Sequence, residues 1–164
     1  MATQEELSSM DLLDFQPQQV EKLLQCDRRI NSMDYKFQGI KTDIGYILSR
    51  RDAIYIDAME QKNNSIIMKG EVNSAFCMEF IPSNKWYMFN VIFKNVKIYQ
   101  CFNADIFYAK KLNNVEAFSE ILNSDWFDIY NLSDKEYKHI LIETYDFAYM
   151  LLCKDFDFSI IGKQ

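Results

Sequence analysis

The chain has 164 residues, 49% apolar, 15% aromatic and 26% charged, with 4 Gly and 2 Pro, which excludes a disordered, collagen-like or low-complexity protein. Eighteen Lys and Arg stand against 24 Asp and Glu, a net charge of −6, which argues against general affinity for nucleic acid or anionic lipid. The composition therefore predicts a folded protein with neither nucleic acid nor membrane as partner.

Met1 to Glu6 lack the basic and apolar regions of a secretory signal, and the longest apolar run, Phe147 to Cys153, is seven residues. A soluble, cytoplasmic protein is the expectation. Residues 1–16 carry no sustained period and read as a flexible N-terminal segment. From Pro17 the apolar residues Leu23, Cys26, Ile30, Met33, Phe37, Ile40, Ile44 and Ile47 recur in alternating steps of 3 and 4, the a/d pattern of a helical seam. Lys22, Asp27, Arg29, Asp34, Lys36, Lys41 and Asp43 fall beside it. The spacing predicts an amphipathic helix over 17–48. Its seam, Ile30, Met33, Phe37, Ile40, Ile44 and Ile47, suits either self-association into a homodimer or packing on the chain's own sheet. Gly39 and Gly45 each weaken such a helix by roughly 1 kcal/mol relative to alanine.

Beyond Ser49 the pattern shortens. Residues 66–71, 75–81, 85–93 and 96–102 are rich in β-branched and aromatic residues and are separated by turn residues, which predicts an antiparallel meander. Between Trp86 and Phe93 both faces are apolar apart from Asn90, so this strand is expected to be central and covered on both sides. Val115, Phe118, Ile121 and Leu122 form one stripe behind Asn114, which predicts a helix near 114–123. Strands resume at 138–144, 147–153 and 155–161. The expected fold class is α+β: a long N-terminal amphipathic helix, then an antiparallel β domain over 49–164 with one inserted helix.

Cys26, Cys77, Cys101 and Cys153 are far apart, with neither CxxC spacing nor a histidine cluster, and read as reduced core residues without metal. His139 is the only histidine; beside Lys138 at a strand start, it is expected at a rim. Asp52 with Glu60, Gln61 and Lys62 has the crude spacing of a metal-dependent nuclease core, but it falls at a turn. The four glycines are isolated, which leaves no phosphate loop. No catalytic residue, cofactor or metal is therefore predicted.

Charge is uneven. Residues 116–164 hold ten acids and four lysines, so the whole net charge of −6 lies there. Such a surface speeds encounter with a basic partner. Aromatic residues in the same third are candidate anchors, with capping of the core the competing role. The predicted partner-binding set is Asp125, Trp126, Asp128, Tyr130, Asp134, Glu136, Asp155 and Asp157.

The run Phe93-Lys94-Asn95-Val96, the segment Val115 to Leu122, the stretch His139-Ile140-Leu141-Ile142-Glu143-Thr144-Tyr145-Asp146 and the stretch Cys153-Lys154-Asp155-Phe156-Asp157-Phe158 together resemble small bacterial immunity proteins of polymorphic-toxin systems. The resemblance covers residues 52–161. It implies a cytoplasmic, non-enzymatic protein that neutralises a cognate toxin, here a basic toxin domain, by surface complementarity. The heptad segment has no counterpart in that family and suggests the alternative of a dimerising coiled-coil adaptor whose β domain docks a partner.

Overall fold

The computed structural model describes residues 35–78, 85–105 and 116–163. Eleven strands are present among them, and every pairing is antiparallel. One sheet orders β1 (Phe37–Gly39), β8 (Phe118–Ile121), β9 (Lys138–Glu143), β10 (Phe147–Cys153) and β7 (Ile98–Asn103). A second orders β11 (Asp155–Lys163), β6 (Trp86–Lys94), β4 (Ser65–Asn73) and β3 (Ile54–Lys62), while β2 (Tyr46–Ile47) pairs with β5 (Cys77–Met78). Helical structure among the described residues comprises a 3-10 turn at Ser74–Phe76, the single turn α1 at Trp126–Ile129 and the pair Ala104 and Asp105 after β7.

Turn chemistry explains the connections. Asn63 and Asn64 both take positive φ (48° and 60°), which closes the two-residue β3–β4 hairpin with the twist its strands need. After β6, Asn95 (φ 51°) helps redirect the chain, so that β7 leaves the second sheet for the first. The β10–β11 junction makes the reverse crossing beside it. Lys154 N donates to Lys94 O at 3.0 Å and Lys97 N donates to Leu152 O at 2.8 Å. The two crossings thus stay hydrogen-bonded to each other as they turn the corner between sheets.

Between the sheets lies one core. Ile54, Ile66, Met68, Phe89, Val91 and Phe93 from the second sheet meet Phe118, Ile140, Ile142, Leu151 and Cys153 from the first. Phe89 stacks on Phe158 with ring centroids 5.2 Å apart, and Phe118 meets Phe156 edge-on at 5.3 Å. The five-stranded sheet is buried on its other face too, where Ile121, His139, Leu141, Met150 and Leu152 lie. The doubly covered strands are therefore β9 and β10. Although β6 is interior to its sheet, Met88 is 42% exposed on its open side, so the expected cover on both faces is absent.

The described fold is essentially all-β, which corrects the α+β expectation. The predicted helix does not run to residue 48: Phe37 lies on β1, Ile40 just after it, Ile44 in a turn and Ile47 on β2. Gly45 adopts φ 86° in that turn, where Thr42 and Gly45 exchange backbone hydrogen bonds, and this conformation is incompatible with a continuing helix. Ile44 and Ile47 belong to the domain core and Ile40 packs against it, so the seam is dismantled at these positions. Ile30, Met33 and the rest of 17–34 lie outside the described residues, as do 1–16. The predicted helix near 114–123 is likewise replaced, over Phe118–Ile121, by β8 between β1 and β9. Phe118 faces the inter-sheet core and Ile121 the opposite buried face, a division that a sheet apolar on both sides rewards and a one-sided helix does not.

A β-bulge between Ile56 and Ala58 bends β3 over Gly70. A Cβ at Gly70 would lie 1.9 Å from Tyr55 O, a backbone atom that cannot swing away. Gly70→Ala is expected to cost about 1–3 kcal/mol, as overpacking does. Urea denaturation measures it, and an unchanged midpoint would show that the two strands are further apart than described.

Candidate functional site

The predicted partner-binding residues begin at α1, and its first residues are inside the protein. Trp126 is fully buried and stacks on His139, with ring centroids 4.2 Å apart. His139, expected at a rim, is fully buried; its Nδ1 lies 2.5 Å from Ser124 Oγ, which also accepts from Trp126 N at 3.1 Å. Burial holds the imidazole well below its usual range, at about 3, so it is neutral at physiological pH. Asp125 is buried as well and accepts from Tyr35 OH at 3.2 Å. Its Oδ2, Trp126 Nε1 and His139 Nε2 have no hydrogen-bond partner among the described residues. Both residues therefore serve to seat α1 against β9 and cannot meet a partner directly.

The remaining predicted residues gather at one end of β9. Asp128, Asp134 and Glu136 are exposed on the segment leading into that strand, with Tyr130 half-buried. Asp155 and Asp157 project from the exposed side of β11, and both are met by lysines: Lys138 Nζ lies 3.9 Å from Asp155 and Lys94 Nζ 2.5 Å from Asp157. Lys138 also lies over the Phe156 ring and Lys154 over that of Tyr137, at 5.3 and 5.4 Å. Two of the ten acids legible in the last third of the sequence, Asp155 and Asp157, are thus balanced locally by lysines. Among the cysteines, Cys77 and Cys153 are buried and free, their thiols pushed up by burial to about 11 and about 12, whereas Cys101 is exposed on β7.

At the opposite end of β9, about 20 Å away for a six-residue strand, the sequence reading missed a second site. The three-residue loop Thr144-Tyr145-Asp146 joins β9 to β10. Thr144 braces it: its N donates to Phe147 O at 2.8 Å, and its Oγ1 donates to the same oxygen at 2.7 Å and accepts from Phe147 N at 3.2 Å. Tyr145 N donates to Ile54 O and Ala104 N to Asp146 O, at 2.9 and 2.8 Å, which ties the loop to β3 and to the residue following β7. A recess of about 90 Å³ opens here, lined by Tyr55, Ile56, Thr144 to Phe147 and Tyr149.

The rim is aromatic and acidic. Tyr145 stacks on Tyr55 (5.0 Å, 17°), which also meets Trp86 edge-on at 5.3 Å. Arg51 lies 5.0 Å from the Tyr145 ring centroid and pairs with Asp105 at 3.0 Å. Tyr55 OH donates to Asp52 at 3.4 Å. Burial and then Asp52 raise the Tyr55 hydroxyl, with Tyr145 and Asp146 contributing; burial and then Cys101 push Tyr149 to about 12, with a further contribution from Asp146. Both hydroxyls thus stay neutral and both sense the Asp146 carboxylate. The nearby signal in the sequence was Thr144-Tyr145-Asp146-Phe147, a turn between two apolar strands; what it lacked was any sign that Tyr55 would meet it.

No family model, curated protein or solved structure matches the chain. Its site must be read from its own geometry. Among the described residues no group of three or more His, Cys, Asp or Glu is placed to hold a metal, and no helix is long and apolar enough to cross a membrane. Asp52 is engaged with Tyr55, whereas Glu60, Gln61 and Lys62 are exposed at the far end of β3.

Proposed function

We propose that the protein acts by binding another protein without chemistry of its own, as a cytoplasmic immunity protein that neutralises a cognate basic toxin domain. One observation carries this reading: a shallow, braced recess whose rim combines Tyr55, Tyr145 and Phe147 with the carboxylates of Asp52, Asp105 and Asp146. Aromatic side chains held rigid at a charged surface are the anchors that dominate protein interfaces. The recess is also small. A pocket for a metabolite-sized ligand encloses about 300–1,000 Å³, several times the volume of this recess. The residues at the other end of β9, Asp128, Tyr130, Asp134 and Glu136, offer a second acidic surface.

Co-expression tests this. The protein is expected to restore growth to bacteria producing the toxin domain encoded beside its own gene, and a Tyr145→Ala variant of equal abundance is expected not to. Absence of protection against every neighbouring toxin domain would contradict the proposal.

A further inference from the structure

We infer that β7 is the edge through which two copies of this chain pair, antiparallel about a two-fold axis at Cys101, so that their five-stranded sheets join into one continuous sheet. The inference concerns a different surface from the recess and does not depend on the protein-binding reading above.

The ladder shows which backbone groups β7 leaves unpaired. Thr144 N donates to Phe147 O, and Ala104 N donates to Asp146 O. Counting by twos along β10, Phe147, Tyr149 and Leu151 therefore turn their backbone groups to β9, while Ala148, Met150 and Leu152 turn theirs to Phe102, Gln100 and Ile98 of β7. The N–H and C=O groups of Tyr99, Cys101 and Asn103 point the other way, at the end of the sheet order. Side chains of the same three residues stand beside Leu151, Tyr149 and Phe147 on the inter-sheet side, yet all three are exposed. The second sheet thus stops short of β7, and among the described residues this edge is open.

The other three edges of the two larger sheets are guarded. One, β1, is only three residues long. On β3 a bulge between Ile56 and Ala58 is joined by Asp57, Glu60 and Lys62, and on β11 a register shift between Ile160 and Gly162 is joined by Asp155 and Asp157. Short length, charge and bulges are what keep an edge from pairing. Ile98-Tyr99-Gln100-Cys101-Phe102-Asn103 has none of them: it is uncharged, lacks Pro and Gly, and stays in register along its length. Such a segment is the kind that takes another strand.

A second copy fits because the segment complements itself. With Cys101 opposite its own equivalent, Tyr99 of each copy faces Asn103 of the other, and the outward groups form three bonded pairs, about six hydrogen bonds, with no like charges opposed. A shift of two residues either way leaves only two of those pairs. The same register brings position 97 level with position 105, so Lys97 of one copy approaches Asp105 of the other at both ends of the ladder. Lys97 is exposed and has no ion pair among the described residues; Asp105 is exposed beside Arg51, and a carboxylate so placed can take a second cation.

The test is sedimentation equilibrium of the full chain in reductant, with amide hydrogen exchange followed by NMR at several concentrations. A monomer–dimer equilibrium is expected, in which the amides of Tyr99, Cys101 and Asn103 become protected as concentration rises while those of Gln100 and Phe102, already bonded to β10, do not change. Cys101→Pro removes only an N–H that faces away from β10 and is expected to weaken the dimer at least tenfold. Lys97→Asp, an exposed change, is expected to weaken it too, and the exchange Lys97→Asp with Asp105→Lys to restore it. A monomer at every concentration up to about 1 mM, a dimer indifferent to Cys101→Pro or Lys97→Asp, failure of the double exchange to restore pairing, or a dimer that leaves the three amides unprotected would each overturn the inference. So would protection of those amides only when the neighbouring toxin domain is added to a monomeric chain, which would give the edge to that partner.

Discussion

Lowering the pH from 7 to 5 is expected to remove about 2 kcal/mol of folding stability through one residue, His139. Its folded pKa is depressed to about 3 by burial, against about 6.5 in an unfolded chain. Because the unfolded state takes up the proton first, stability is complete above about pH 6.5 and declines as the pH falls toward 3. Across the whole window the effect approaches about 5 kcal/mol, comparable with the total stability of many domains. The interval from 7 to 5 isolates the histidine, since ordinary carboxylates titrate near pH 4. Urea midpoints measured across it should fall in the wild type and stay level in His139→Phe, which keeps a ring against Trp126. A flat wild-type profile, or the same slope in the variant, would mean that the imidazole is open to solvent.

Trp126→Ala is expected to destabilise the domain by about 3–5 kcal/mol, the range for truncating a large buried aromatic. The indole is wholly buried against His139 and meets Tyr130 edge-on at 6.1 Å. Its removal opens a cavity beside β9 and unseats α1. Asp128→Asn, two residues along and exposed, should change stability by less than about 0.5 kcal/mol. Thermal unfolding of the pair separates an inside residue from a surface anchor. Should Trp126→Ala retain the wild-type melting temperature, the burial of α1 would be wrong.

Much of the strand content was legible because alternation survives where one face is wet. Phe156, Phe158 and Ile160 pack toward the core while Asp155, Asp157 and Ser159 face solvent, and the apolar run of β10 does end up buried along nearly all its length. The errors share a cause. A five-stranded sheet buried on both faces needs apolar residues in both phases, and in a short segment such as β8 both phases together imitate a helical stripe. The heptad spacing through Phe37, Ile40, Ile44 and Ile47 is interrupted at Gly45, whose φ of 86° no helix continues through, while Gly39 lies on β1. At the candidate site, charge counting along the chain located acids without their neighbours. Lys94, more than 60 positions before Asp157, neutralises it across β6 and β11. Tyr55 and Tyr145, 90 positions apart, stack because the β9–β10 turn is tied to the start of β3 by the hydrogen bond from Tyr145 N to Ile54 O. Nothing local to either residue encodes that meeting.

The most direct measurement is a calorimetric titration of the neighbouring toxin domain into wild-type protein and into Tyr145→Ala. Binding at the recess predicts a saturable one-to-one isotherm for the wild type and at least a hundredfold loss of affinity for the variant, in which the stack on Tyr55 and the platform under Arg51 are gone. No heat with the wild type, or equal affinities for the two, would contradict it.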